Sequence, residues 1–396
     1  MSFSKRNDTL YIDTEALSTL ALVQEGLLHP VTKLMGEEEA KEVDRTKRYK
    51  GIPLPFSFIF SPKGKRNQEN IQNFKKGDRV TLINNSKEVG YLIVDEVFKI
   101  DKEERLKLIY GSNDKSIPAI KRAAKRLGEW AVSGEYRVEY PVIKENIKLV
   151  QKIIKRKNAK NITGMVLGAN PVTRAQERVI REALVKSDLL ILFLIKPFTK
   201  EGLPYTIRRK ALDIYIQNYL PSRRVIVVPF ENSYIFSGYN ELILDALLAK
   251  NYGCNKIVIG KNHRGLGMLI DKEEVNTIFD TFKDINIEVD LVDEYVYCDI
   301  CKTLVNTHTC PHGQHHHIHY HHKPIMELIR SGILPPTILV RKEISAHIIA
   351  SLFPNRFKRL QETYDMLIPN SGLLENKSEE DFYIKLMELY QTSSLT

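Results

Sequence analysis

Cysteine is scarce in this 396-residue chain, and three of its four residues, Cys298, Cys301 and Cys310, share one short window. So sparse and so clustered a set argues against scattered buried thiols. Long apolar runs are also lacking. None approaches the roughly 20 residues that a membrane-crossing helix requires, so no membrane partner is expected. The longest, Leu189 to Ile195, has the length and composition of a buried strand. Met1 to Leu10 is polar, without an apolar segment of the signal-peptide kind. With reduced cysteines in ligand spacing, this points to a cytoplasmic protein. The basic stretches Lys121 to Arg126 and Lys148 to Lys157 have no interleaved aromatics. Such runs are more often solvated helix faces than nucleic-acid grooves, so nucleic acid is not the expected partner.

With 43% hydrophobic residues and both charge signs interspersed, the chain should bury ordinary cores. Its length predicts two or three domains. The net charge of +10 suits phosphate-bearing partners, nucleotides first among them.

The cysteine window reads C-D-I-C, eight residues, then C-P-H-G-Q-H-H-H, and continued to His322 it holds eight of the eleven histidines. Two thiolates two residues apart can grip one metal, and a third thiolate with an imidazole completes a tetrahedron suited to structural zinc. His312 and His316 lead as fourth ligand, with His315 and His317 close behind. His319, His321 and His322 have no carboxylate near them in sequence and read as a solvated polar stretch rather than a second site. A closed site with four protein ligands stabilises a loop-rich segment and leaves no open position for substrate.

The first 140 or so residues read as a small strand-rich domain after two helices, Thr14 to Leu27 and Val31 to Val43. Its strands are expected at Phe56 to Phe60, Asp78 to Ile83, Val89 to Phe98 and Gly134 to Val142. Asn84-Asn85 supplies a hairpin turn. Glu145 to Lys157 is a basic amphipathic helix. Strands then alternate with helices: Gly164 to Gly168, Leu189 to Ile195, Val225 to Pro229, Lys256 to Gly260 and Ile287 to Val292 are strands. Arg174 to Lys186, Thr206 to Asn218, Asn240 to Asn251 and Asp271 to Phe282 are helical. That alternation predicts an α/β unit with an open, mostly parallel sheet. In such sheets ligands sit beyond the carboxyl ends of the strands at the switch point, which selects the loops Leu167 to Gln176 and Gly260 to Gly267. Helices at Pro324 to Ser331, Lys342 to Leu352 and Glu379 to Tyr390 close the chain.

At these loops the sequence resembles the ATP sulfurylase (sulfate adenylyltransferase) family, and the likeness runs along nearly the whole chain. Gly26-Leu27-Leu28-His29-Pro30 with Leu34-Met35 is similar to the family's early signature. Lys250-Asn251-Tyr252-Gly253-Cys254 followed by Ile259-Gly260-Lys261-Asn262-His263-Arg264-Gly265 resembles R-K-N-Y-G-C…V-G-R-D-H-A-G. The knuckle, and Gly332-Ile333-Leu334-Pro335-Pro336 with Arg341, resemble segments of bacterial and archaeal members. The resemblance implies a PUA-like N-terminal domain (1–144), a nucleotidylyltransferase-type parallel α/β domain with a zinc knuckle (145–330) and a small helical C-terminal subdomain (331–396). It implies adenylyl transfer as well: sulfate attacks the α-phosphorus of ATP, with magnesium, giving adenosine phosphosulfate and pyrophosphate. Family members commonly form homo-oligomers. The resemblance carries nucleotide contacts onto Asn170, Pro171, Thr173, Arg174, Gln176, Gly260, Asn262, His263 and Gly265. Asn170, Arg174 and His263 become the catalytic candidates.

The family's Q-T-R-N-P-x-H-R-x-H loop reads here Leu167-Gly168-Ala169-Asn170-Pro171-Val172-Thr173-Arg174-Ala175-Gln176. Its glutamine and arginine become Leu167 and Ala169, and its two phosphate-facing histidines become Thr173 and Gln176. Alanine cannot offer the paired donors that arginine gives an oxyanion. The turn from Asn170 to Arg174 is still expected to present backbone donors and a helix N-terminus to phosphate. Arg208, Arg209 and Lys261 are the basic residues nearest in sequence to stand in for the lost clamp. Two readings follow: a sulfate adenylyltransferase of weak activity, or of another small anionic acceptor, and a non-catalytic nucleotide-binding or regulatory relative.

Overall fold

The computed structural model describes residues 8–198, 202–236, 241–261, 282–368 and 376–391. The chain forms two compact units. One comprises Met1–Val166, Lys196–Phe198 and Val228–Leu291, the other Leu167–Ile195, Thr199–Val227 and Val292–Thr396.

The N-terminal part of the first unit is built on a five-stranded sheet. In order across the sheet its strands are β1 (Thr9–Tyr11), β5 (Arg79–Asn84), β6 (Lys87–Lys99), β7 (Leu127–Val138) and β4 (Phe60–Pro62). Strands β5 and β6 form the expected hairpin, Asn84 facing Lys87. Asn85 and Ser86 both take positive φ, 46° and 64°, the turn whose twist matches that of the flanking strands. Gly134 on β7 has no alternative, since a Cβ there would meet the carbonyl oxygen of Ile93 at 1.9 Å. Helix α1 (Thr14–Gln24) starts at Asp13, whose carboxylate accepts from the N–H of Ala16, and it buries Leu17 to Val23.

Some expected elements move. The helix expected over Val31 to Val43 is α2, Glu37–Thr46. Phe56 to Ile59 is buried but is not a strand. Its backbone is satisfied instead by side chains and an irregular contact: Asp44 accepts from Ser57 N–H at 2.6 Å, Arg105 donates to the Ser57 carbonyl at 2.5 Å, and Met35 N–H reaches the Phe58 carbonyl at 2.9 Å. The short pair β2 (Arg48–Tyr49) and β3 (Ile52–Pro53) joins this segment. Helices α3 (Lys65–Asn73) and α4 (Lys102–Tyr110) lie outside the sequence-based expectations, while α5 (Pro118–Ala124) overlaps the basic helical run read from Lys121 to Arg126. Helix α6 (Pro141–Lys157) begins four residues earlier than expected, with proline at its first position, where no donor is lost.

A second sheet has the order β10 (Val225–Asn232), β9 (Leu189–Pro197), β8 (Ile162–Leu167), β11 (Lys256–Gly260), β12 (Glu288–Val292). Strands β8 and β11 run parallel, Lys256 beside Thr163. Leu189 through Leu194 are each 0% exposed, as a strand covered on both faces requires. Strand order reverses between β8 and β11, which is the switch point of this sheet. Helices α7 (Arg174–Val185), α8 (Tyr205–Tyr219) and α9 (Glu241–Asn251) match the sequence reading within two residues at each end. The expected helix from Asp271 lies almost wholly outside the described residues.

In the second unit, β13 (Tyr295–Cys298) pairs with β14 (Thr303–Asn306) and β15 (His317–Ile318) to form the knuckle sheet. Helices α10 (His322–Arg330), α11 (Lys342–Leu352), α12 (Leu360–Leu367) and α13 (Glu379–Gln391) follow. Tyr364, Ile368 and Phe382 make a small core there, packed by Phe357, Leu360 and Leu386. No helix among the described residues is long and apolar enough to cross a membrane.

Candidate functional site

The loop from Leu167 to Gln176 leads from the end of β8 into α7. Leu167 and Ala169, at the clamp positions, are 3% and 1% exposed, and Ala169 takes a left-handed φ of 45°. Asn170 turns its side chain inward, accepting from Leu203 N–H at 2.8 Å through Oδ1. Thr173 and Gln176 form a reciprocal capping box. Thr173 Oγ1 accepts from Gln176 N–H at 3.3 Å, and Gln176 Oε1 accepts from Thr173 N–H at 3.2 Å. Arg174 N–H donates to the Leu339 carbonyl at 2.9 Å. Of the turn from Asn170 to Arg174, expected to offer backbone donors, the N–H groups of Thr173 and Arg174 bond within the protein, because T-x-x-Q caps its own helix and the segment before Arg341 supplies a carbonyl.

The charged groups around the loop are likewise engaged. Arg174 Nη1 donates to Glu177 Oε2 at 2.9 Å, and Arg341 Nε reaches both carboxylate oxygens of Glu177 at 2.8 and 2.9 Å. The Arg341 guanidinium lies 3.6 Å over the Tyr219 ring. Burial pushes the Glu177 carboxyl pKa up, against the pull of Arg174 and Arg341. Arg208, 4% exposed, donates to the carbonyls of Gly168 at 2.7 Å and Leu203 at 3.0 Å. Arg209 pairs with Asp213 at 3.0 Å. Glu177, which the sequence reading did not single out, is thus the centre of the network. Its signal was the i,i+3 spacing from Arg174.

Of the second loop, Gly260 is exposed at the end of β11, and Lys261 follows it. Asn262, His263 and Gly265 lie outside the described residues.

The knuckle brings together Cys298, Cys301, Cys310 and His312, with one ligand atom from each within 4.8 Å of the others. The sulfurs of Cys301 and Cys310 are 3.9 Å apart, and His312 Nδ1 stands 3.4, 3.2 and 3.6 Å from the sulfurs of Cys298, Cys301 and Cys310. A tetrahedral ion with metal–sulfur bonds of about 2.3 Å needs sulfurs about 3.8 Å apart, so this donor set could hold a metal ion. Burial opposes ionisation of Cys298, but N–H groups of Cys301 and Ile300 donate to its sulfur, and its pKa falls to about 7. Among the described residues this is the one such cluster. His316 is not part of it: its Nδ1 sits 2.9 Å from Asp299. His315 packs beside His316, and His317 also stays outside the cluster. Nor is the histidine stretch free of carboxylates, since His319 Nδ1 lies 2.9 Å from Glu294.

By fold, then, this is a PUA-like domain followed by an α/β domain that carries a Cys3His knuckle. A PUA-like domain profile matches residues 2–139, and the ATP-sulfurylase profile matches residues 143–351. The chain belongs to the ATP-sulfurylase family. It is 26% identical over 348 residues to a sulfate adenylyltransferase of Chloroflexus aurantiacus, covering 85% of this chain and 89% of the relative. It is 28% identical over 341 residues to that of Carboxydothermus hydrogenoformans, covering 82% and 87%. Among solved structures, a hexameric APS kinase from Thiobacillus denitrificans shares the fold with a TM-score of 0.63 at 16% identity. That match covers 88% of this chain and only 63% of the other.

Proposed function

We propose that this protein is an adenylyl transferase of the sulfate adenylyltransferase type in which sulfate-dependent turnover is slow. The observation that carries this reading is the loop from Leu167 to Gln176. Buried Leu167 and Ala169 stand at the clamp positions, Asn170 bonds the Leu203 N–H, and Thr173 and Gln176 bond each other. A sulfate dianion brought there would lose water and gain few donors, the buried Arg208 Nη2 being one that has no partner. Loss of one such donor typically lowers a rate by about 100-fold. In this reading ATP with magnesium is the substrate, and sulfate or another small anion is the acceptor. Asn170, Arg174 and His263 serve the reaction, and Pro171, Thr173, Gln176, Gly260, Asn262 and Gly265 shape the nucleotide site. The knuckle holds a structural zinc through Cys298, Cys301, Cys310 and His312. The chain acts as a cytoplasmic homo-oligomer, with domains 1–144, 145–330 and 331–396.

The test is pyrophosphate release from magnesium–ATP with sulfate, beside calorimetric titration with ATP. ATP should bind, with slow release that rises at least ten-fold in Leu167→Gln with Ala169→Arg. Rapid turnover by the unmutated chain at modest sulfate would overturn the reading. Absence of ATP binding would favour a non-catalytic, regulatory relative, which the self-capped start of α7 also supports.

A further inference from the structure

The N-terminal domain contains a cavity of about 510 Å³ that the proposed reaction does not use. Its walls are largely apolar, formed by Ile12, Ala16, Phe60, Leu106, Ile109 and Leu127. That volume is within the range of about 300–1,000 Å³ typical of small-molecule sites. The charged groups are few, and their arrangement is uneven. Asp13 is the one carboxylate in the lining, and both its oxygens accept hydrogen bonds from the protein. Its Oδ1 accepts from Ala16 N–H at 2.8 Å and from Arg126 Nη2 at 2.7 Å, and its Oδ2 accepts from Arg126 Nε at 2.8 Å. Arg126 also pairs with Glu15 and lies 5.4 Å from the centre of the Tyr234 ring, so this wall is fixed before any ligand arrives. Lys63 and Lys125 also line the cavity. Both are exposed, and among the described residues neither is paired with a carboxylate. An apolar chamber whose acid is neutralised and whose two exposed lysines are unopposed is complementary to a molecule that is apolar at one end and anionic at the other.

We infer that this cavity is a second ligand site, which takes a small amphipathic anion. An aromatic or aliphatic body fills the space beside Ala16 and Phe60, and a carboxylate, sulfonate or phosphate group lies at Lys63 and Lys125. The apolar part supplies affinity through burial, and the lysines orient the ligand and supply a salt-sensitive attraction.

The test uses the full-length chain and 8-anilinonaphthalene-1-sulfonate, an aromatic sulfonate whose fluorescence rises in an apolar site. One saturable site is expected, unchanged by saturating magnesium–ATP. Lys63→Glu with Lys125→Glu, both on exposed side chains, should weaken binding at least ten-fold. Ala16→Phe, which takes up part of the chamber's apolar end, should weaken binding at least ten-fold, with circular dichroism confirming the fold. Displacement of the dye by ATP would overturn the assignment to this cavity. Unchanged affinity in the double lysine variant would overturn the anionic partner, and unchanged affinity in Ala16→Phe would overturn the chamber itself.

Discussion

Glu177 is 3% exposed and accepts from two guanidinium groups, Arg174 and Arg341. Removing the carboxylate leaves two cations facing each other beside a buried helix face. Breaking such a pair by deleting one partner costs about 3 kcal/mol, more than an exposed ion pair ever contributes. Glu177→Ala should therefore lower the urea midpoint of the second unit markedly, while Glu177→Gln, which keeps acceptor oxygen and volume, should lower it less. Equal, negligible losses would show that Arg341 is held by Tyr219 alone. At this scale the sequence was readable in part. T-x-x-Q at Thr173 to Gln176 is a local helix-start pattern, and it occupies positions where the family has phosphate-facing histidines. The resemblance favoured a nucleotide contact there, and the hydrogen bonds show the cap. The bond from Arg174 N–H to Leu339 joins distant parts of the chain, so no local pattern could have announced it.

Elements with apolar periodicity were legible, and those without it were not. Helix α3, K-R-N-Q-E-N-I-Q-N, buries Asn67, Asn70 and Ile71. Asn67 and Asn70 donate to the carbonyls of Tyr11 and Thr9, each at 2.8 Å. Its attachment is polar and invisible to a hydrophobic pattern. Helix α9 presents the opposite case. It was expected as a helix, and it buries Asp245, 5% exposed, with one carboxylate oxygen unpartnered. Burial, with Glu241 adding like charge, raises the Asp245 pKa well above the usual carboxylate range. The folded protein therefore holds this proton more tightly than the unfolded chain, and stability declines as pH rises through the raised value. Asp245→Asn should be neutral in acid and should raise the thermal midpoint at pH 8 by about 2–4 °C, the shift about 1 kcal/mol gives a domain of this size. A gain that is independent of pH would assign the effect to packing. The knuckle makes a separate prediction. Cys298→Ser removes one of four donor atoms, so if the knuckle holds the proposed zinc, its content should fall from one per chain toward zero and β13 to β15 should become protease-sensitive. Full zinc content in the variant would mean that another histidine completes the site.

For the molecule as a whole, the order of a strand-rich domain, an alternating α/β region and terminal helices could be read from residue patterns. Much of the loop's internal bonding could not, because it depends on contacts between segments far apart in sequence. The net charge of +10 gives the molecule a general preference for anions. It does not say where they bind, since Arg174 and Arg209 near the loop pair with carboxylates, while Arg208 bonds two carbonyls and keeps a buried Nη2 without a partner. The capping box at Thr173 and Gln176 has a consequence for how the molecule meets its nucleotide. A helix start that closes on itself is ordered before any ligand arrives. Amide deuterium uptake at Thr173 and Gln176 should be slow in the free protein and little altered by saturating magnesium–ATP. Strong ATP-dependent slowing at these two amides would show instead that the cap opens and the phosphates take its place.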